Sequence, residues 1–196
     1  MNLVLASRNP HKLRELAGLL EPLDLEPLSE GIELPPETGE TFADNALLKA
    51  RAAVQATGKP AIADDSGIGA AALGGRPGVR SARYAGEGAS DEENLAKLLR
   101  EVPAGGDTRV EYVCALAYVD PDGDELLVEG RCTGTLTHDP RGDGGFGYDP
   151  AVVPDAYADG RTMAELSPEE KDAISHRGRA VRALMERLGA PGRTAP

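Results

Sequence analysis

Two carboxylates stand side by side directly after a short apolar run, in Ala61-Ile62-Ala63-Asp64-Asp65-Ser66-Gly67, and no other stretch constrains the chain as strongly. The apolar run reads as a buried strand that delivers its acids to a sheet edge. Adjacent carboxylates repel unless a cation lies between or beside them, so the pair points to a hard metal ion such as Mg²⁺. An Asp-Asp-Ser-Gly turn that caps a helix is the other reading these residues leave open. Two more polar islands follow, Gly144-Gly145-Phe146-Gly147-Tyr148-Asp149-Pro150 and Ser175-His176-Arg177-Gly178, and the three look like parts of one site.

The elements around these islands can be read from their punctuation. Asn2 to Ser7 reads as a buried strand, and Asn9-Pro10 supplies an N-cap and a proline at the first helical position. Leu13, Leu16, Leu19 and Leu20 continue as a helix, so Ser7 to Lys12 is a strand-to-helix turn with exposed N–H groups at its tip, the geometry that binds phosphate. After the acidic loop Glu33 to Glu40, Thr41 and Asp44 form a capping box for a helix running to Thr57 and closed by Gly58. Lys49 lies one turn past Asn45 on that helix and can reach into a cleft. The stretch from Leu73 to Tyr84, with Arg76, Arg80 and Arg83, reads as a flexible loop rich in cationic donors.

Ser90 and Glu93 cap a further helix with a Leu95, Leu98, Leu99 stripe. Arg109 to Val119, a turn at Asp120 to Gly123, and a strand from about Glu125 to Thr137 make a long hairpin in which Tyr112 and Tyr118 read as packing residues. Ser167-Pro168-Glu169-Glu170 opens a final helix that runs to Gly189, with Lys171 on an exposed first turn. Residues 191–196 read as a disordered tail after a single two-lobed domain spanning 1–190.

The net charge of −12, from 33 acids against 21 bases, opposes a nucleic-acid polymer as partner, because such binding is mostly phosphate neutralised by Lys and Arg. A small anion held by a few converging bases is compatible with it. No apolar run approaches the roughly 20 residues of a membrane span, and Met1 to Ala6 lacks the basic start of a signal peptide, so a cytoplasmic protein is expected. Cys114 and Cys132 are then two ordinary reduced thiols.

Taken together, Ser7-Arg8-Asn9-Pro10-His11-Lys12, Glu37-Thr38-Gly39, Asn45-Ala46 with Lys49-Ala50-Arg51, the Asp-Asp-Ser-Gly island, Gly74-Gly75 to Tyr84, Phe146-Gly147-Tyr148-Asp149 and Ser175-His176-Arg177-Gly178 closely resemble the inosine/xanthosine triphosphate pyrophosphatase family, over residues 3 to about 188. The resemblance implies an α/β fold: a long mixed β-sheet flanked by helices, in two lobes with an active-site cleft between them. It implies a homodimer that hydrolyses ITP, dITP and XTP to the monophosphate and pyrophosphate with Mg²⁺. By the same resemblance Asp65 is the general base and a metal ligand, and Glu37 helps hold the metal, with Asp64 a further or alternative ligand. Ser7, Arg8, Asn9, Pro10, His11 and Lys12 bind the triphosphate. Ser66, Phe146, Gly147, Tyr148, Asp149, Lys171, His176 and Arg177 contact substrate. Many relatives have Thr-Gly-Asn where this chain has Ser7-Arg8-Asn9, so Arg8 replaces a small residue.

The chemistry is consistent with those roles. A triphosphate carries about four negative charges, which Mg²⁺ and cations such as Lys12, Lys49, Lys171 and Arg177 can offset while Asp65 polarises a water. Hypoxanthine and xanthine present a 6-oxo acceptor where adenine presents a donor, so the base pocket needs donors: backbone N–H groups near Tyr148 and Asp149, with His176 or Arg177, under a purine stacked on Phe146 or Tyr148. A Maf-like pyrophosphatase acting on pyrimidine triphosphates shares the opening block, and a nucleotide-binding sensor without catalysis is a rival of another class.

Overall fold

In the computed structural model, which describes residues 2–21 and 23–189, six strands form one sheet. They are β1 (Asn2–Leu5), β2 (Asp24–Pro27), β3 (Ala61–Ala70), β4 (Arg109–Val119), β5 (Glu125–Leu136) and β6 (Val152–Pro154), in the order β2-β1-β3-β4-β5-β6. β1 runs parallel to β2 and β3, and β6 antiparallel to β5, so the sheet is mixed as expected. Among the described residues five α-helices accompany it: α1 (Pro10–Leu19), α2 (Phe42–Thr57), α3 (Asp91–Glu101), α4 (Pro168–Ile174) and α5 (His176–Leu188). The stretch 191–196 lies outside the described residues.

The chain divides into two compact units, Met1–Asp65 with Cys114–Gly130 and Arg177–Pro196, and Ser66–Val113 with Arg131–His176. In the first unit, side-chain alternation sorts the strands onto two faces. Leu3, Leu5, Ile62, Cys114, Leu116 and Tyr118 share a buried cluster with Leu16 and Leu20 of α1 and Val181, Leu184 and Met185 of α5. Val4, Ala6, Ala61, Ala63, Ala115 and Ala117 share the other with Ala46, Ala50 and Ala53 of α2. Alanine on both partners lets α2 approach its face of the strands closely, which brings the polar residues of that helix near the strand backbone.

The second unit has a separate core. Ile68 and Ala70 of β3, Val110 and Tyr112 of β4, Cys132 and Leu136 of β5, and Leu95 and Leu98 of α3 cluster with Tyr148, Val152, Met163 and Leu166. β5 alternates strictly between buried and exposed positions along most of its length, the signature of a strand with one covered face.

Helix starts match the sequence closely. Reciprocal capping boxes join Thr41 to Asp44, Ser90 to Glu93 and Ser167 to Glu170, and Gly58 closes α2 in the left-handed conformation at φ 65°. Three expectations are corrected. Asp64-Asp65-Ser66-Gly67 is neither a turn nor the end of a strand: β3 continues to Ala70, because both acids find cations and donors without turning to solvent. The final helix is two helices, broken where Ser175 adopts an extended backbone (ψ 155°), in keeping with the preference of serine for caps over helix interiors. The Leu73 to Tyr84 stretch is stitched down by short 3₁₀ turns at Ala71–Leu73 and Gly78–Arg83. There Ser81 Oγ accepts from Ile68 N at 2.9 Å and donates to Gly78 O at 2.6 Å.

Candidate active site

The two acids of β3 come just past the point where β1 stops. β1 pairs with β3 through Leu5 and Ile62, Ala6 N donates to Ile62 O at 2.8 Å, and the next residues of β3 are Ala63, Asp64 and Asp65. The acids therefore stand at the carboxyl end of a parallel pair, where open α/β sheets bind ligands, next to the turn that leads into α1. In that turn Asn9 caps the helix: its Oδ1 accepts from His11 N at 2.9 Å and Lys12 N at 3.2 Å, and Ser7 Oγ accepts from Asn9 N at 3.3 Å. These N–H groups, expected to be exposed at the tip, are held by the cap. Pro10 opens α1, and His11 Nδ1 lies 3.0 Å from Arg14 Nη2 on its surface.

Arg8 points elsewhere. Its guanidinium donates to the carbonyls of Leu28 (2.8 Å), Ser29 (2.6 Å) and Ile32, so the side chain ties down the loop after β2 and position 8 offers a ligand only its backbone.

Asp64 and Asp65 differ sharply although they are neighbours. Asp64 is 1% exposed and lies 2.9 Å from Lys12 Nζ and 3.7 Å from Arg177 Nη2. Burial raises its pKa, but Lys12, Arg177 and Lys49 outweigh burial and hold its carboxyl well below the usual carboxylate range. Arg177, 2% exposed, also pairs with Glu15 of α1. Asp65 accepts from Asn45 Nδ2 at 2.9 Å and lies 3.9 Å from Lys49 Nζ. There burial prevails over Lys49 and Lys12, with Glu37 adding to it, and the carboxyl is raised. Adjacent acids pushed in opposite directions can take different roles: one a fixed negative charge, the other a proton acceptor.

Glu37 joins this cluster through Lys49, whose Nζ is 2.5 Å from Glu37 Oε1. Lys49 is buried, and although burial lowers its pKa, Asp64, Asp65 and Glu37 raise it further. Among the described residues no group of three His, Cys, Asp or Glu side chains is arranged to hold a metal, so Glu37, Asp64 and Asp65 are not gathered into one ligand set. Asp64 is matched by Lys12 and Arg177. Glu37 and Asp65, both against the Lys49 ammonium, are hard oxygen donors of the kind that could hold a divalent cation such as Mg²⁺.

The second unit holds the other expected residues. Asp149, 3% exposed, is a hub: its Oδ2 accepts from Lys171 Nζ at 2.8 Å and Phe146 N at 3.0 Å, and its Oδ1 from Tyr112 OH at 3.0 Å. Lys171, read from sequence as exposed, is buried, and it lies 5.4 Å from the centroid of the Phe146 ring. Gly145 makes the hub possible, since a Cβ there would sit 2.1 Å from Asp149 Oδ2 at a φ of +70°. Gly147 N donates to Asp91 at 2.8 Å. The Tyr148 ring is part of the core and its hydroxyl donates to Ser81 O at 2.7 Å, whereas Phe146 is half-buried. Ser66, half-buried, is the first residue of this unit.

Two contributors escaped sequence reasoning. Tyr112, taken for packing alone, also stacks on His176, with ring centroids 4.7 Å apart and planes 9° from parallel. Asn45 lies beneath Asp65. A tyrosine on a strand buried on both faces needs a partner for its hydroxyl, and an asparagine in a helix stripe of alanines needs partners for its amide; those were the available signals.

Comparison with known proteins shows the family and the fold. The Ham1 family model matches residues 3–187. The chain belongs to the Ham1 family. It is 51% identical to a dITP/XTP pyrophosphatase of Mycobacterium tuberculosis over 195 residues, covering 95% of this chain and 94% of that protein. It is 49% identical to a dITP/XTP pyrophosphatase of Cutibacterium acnes over 191 residues, 93% and 94% of the two chains. Among solved structures, the Staphylococcus aureus Ham1 protein superposes with a TM-score of 0.85 at 39% identity, covering 96% of this chain and 98% of its own. The family's α/β fold, a mixed sheet with flanking helices, is the fold of this chain.

Proposed function

We propose that this protein is a dITP/XTP pyrophosphatase: it hydrolyses deaminated purine nucleoside triphosphates to the monophosphate and pyrophosphate and so removes them from the nucleotide pool. The observation that carries the reading is the pair of adjacent acids, Asp64 against Lys12 and Arg177 and Asp65 against Asn45 and Lys49, in a chain about half identical to dITP/XTP pyrophosphatases along nearly its whole length.

In this reading Asp65 accepts the proton of the attacking water, with Asn45 and Lys49 against it. Lys12, Lys49 and Arg177 meet the triphosphate, together with the Ser7 to Lys12 turn. Glu37 and Asp65 would hold Mg²⁺, which when bound offsets phosphate charge. Phe146 stacks on the purine, and His176 with the backbone N–H groups of the Phe146 to Asp149 segment meets its 6-oxo edge, while Lys171 and Asp149 keep that segment in shape. A donor left facing the adenine amino group costs about 1 to 3 kcal/mol, one or two decades of preference against ATP.

Magnesium dependence, a homodimer and a cytoplasmic location belong to the same proposal. No helix among the described residues is long and apolar enough to cross a membrane. The test is pyrophosphate release measured across natural and deaminated triphosphates, with and without Mg²⁺. Release from ITP, dITP and XTP in preference to ATP and GTP is expected. Preference for dTTP or UTP would turn the reading to a Maf-like enzyme, and ITP binding without release would turn it to a sensor.

A further inference from the structure

We infer that Asn45 is a positioning residue that sets the orientation of Asp65 and ties it to the loop carrying Glu37; this rests on Asp65 as the proton acceptor. Asn45 is fully buried, at 0% exposure, in the first turn of α2, whose register is fixed by the Thr41 and Asp44 capping box. Its Nδ2 donates to Asp65 Oδ2 at 2.9 Å and its Oδ1 accepts from Gly39 N at 2.7 Å. These partners fix which way the amide faces, because a backbone N–H can only donate and a carboxylate can only accept.

A planar amide is suited to this place. It donates to one carboxylate oxygen and accepts from a backbone N–H through one rigid group, and it adds no charge to a cluster that already holds three acids and three cations. With Oδ2 of Asp65 engaged by Asn45, Oδ1 is the oxygen turned toward Lys49, 3.9 Å away. The loop side is equally tight. A Cβ on Gly39 would lie 2.7 Å from Asn45 Oδ1 and 2.6 Å from Asp44 Cβ, so this segment approaches α2 closely only because residue 39 has no side chain. Glu37, two residues earlier, meets Lys49, one helical turn beyond Asn45. Asn45 and Lys49 are thus two rungs on one face of α2 between the Glu37 loop and Asp65: the lysine supplies charge, the amide orientation.

The experiment uses the full chain and ITP turnover. Asn45→Ala and Asn45→Asp are each expected to lower kcat about tenfold to a hundredfold, with KM for ITP changed less than about threefold, as for a misoriented acceptor. Gly39→Ala, which presses on Asn45 from the other side without touching Asp65, is expected to reproduce part of that loss, and adding it to Asn45→Ala to cost little more. In an Asp65→Asn background Asn45→Ala is expected to have almost no effect on the residual rate. The inference is overturned if kcat per folded molecule is unchanged while only the melting temperature falls, or if Asn45→Ala lowers the Asp65→Asn rate as much as it lowers the natural one. A natural enzyme that releases no pyrophosphate from ITP, or an Asp65→Asn variant of full activity, instead removes the acceptor reading itself, and the inference with it.

Discussion

Lys171 Nζ sits 2.8 Å from Asp149 Oδ2 with both side chains buried, so the lysine is part of the framework that shapes its loop. Removing one partner of a buried pair leaves the other's charge uncompensated, typically at about 3 to 5 kcal/mol. Lys171→Ala is therefore expected to lower the melting temperature by on the order of 10 °C as well as raise KM. A thermal melt within about 3 °C of the natural protein would show that the pair carries little stability.

Asp65→Asn removes an acceptor with almost no change in volume. Turnover of ITP is expected to fall by about a hundredfold or more, with a melting temperature within a few degrees of the natural protein, because a raised, buried carboxylate contributes no folding stability by being charged. Steady-state kinetics beside calorimetry separate the two quantities; near-natural kcat would exclude Asp65 as the acceptor.

Acid should expose Asp64. Its folded pKa lies below that of the unfolded chain, so its contribution is fully present above about pH 4 and is lost as pH falls below that value toward the folded pKa. Asp65 has the opposite sign, its raised pKa costing stability as pH climbs through the window above about pH 4. Unfolding free energies measured from pH 6 to pH 2.5 are expected to fall less steeply at the acid end for Asp64→Asn than for the natural protein. Parallel curves would place the acid sensitivity elsewhere.

Gly145 and Gly147 make a controlled pair. Both have left-handed backbones, at φ +70° and +65°, but an added methyl at 145 meets Asp149 and Lys171, whereas at 147 it meets open space. Gly147→Ala is expected to cost about 1 to 2 kcal/mol of backbone strain alone. Gly145→Ala is expected to cost more and to raise KM for ITP several-fold, because Asp149 must move. Equal effects in stability and KM would mean that the close approach at 145 has no functional weight.

Local signals were legible and long-range ones were not. Thr41, Ser90, Ser167 and Gly58 announce helix ends because caps are made within a few residues of sequence. Helical spacing alone puts Lys49 on the face of Asn45, and the structure buries it there against Glu37. The length of β3 was misread since an Asp-Asp-Ser-Gly string has turn chemistry, and only Lys12, Asn45 and Arg177, from 20 to 113 residues away in sequence, let it stay extended. The burial of Lys171 and the hydroxyl contact of Tyr112 both involve Asp149, 22 and 37 residues distant, which no local pattern reports.

The chain passes from one compact unit to the other four times, within β3, β4, β5 and α5. Neither unit is encoded as one uninterrupted stretch: residues 1–65 alone would lack Leu116 and Leu184, which fill the same core as Leu3 and Leu16. No single cut, in the natural order or after circular permutation, therefore separates the two units, because Cys114–Gly130 of the first still lies between the two segments of the second.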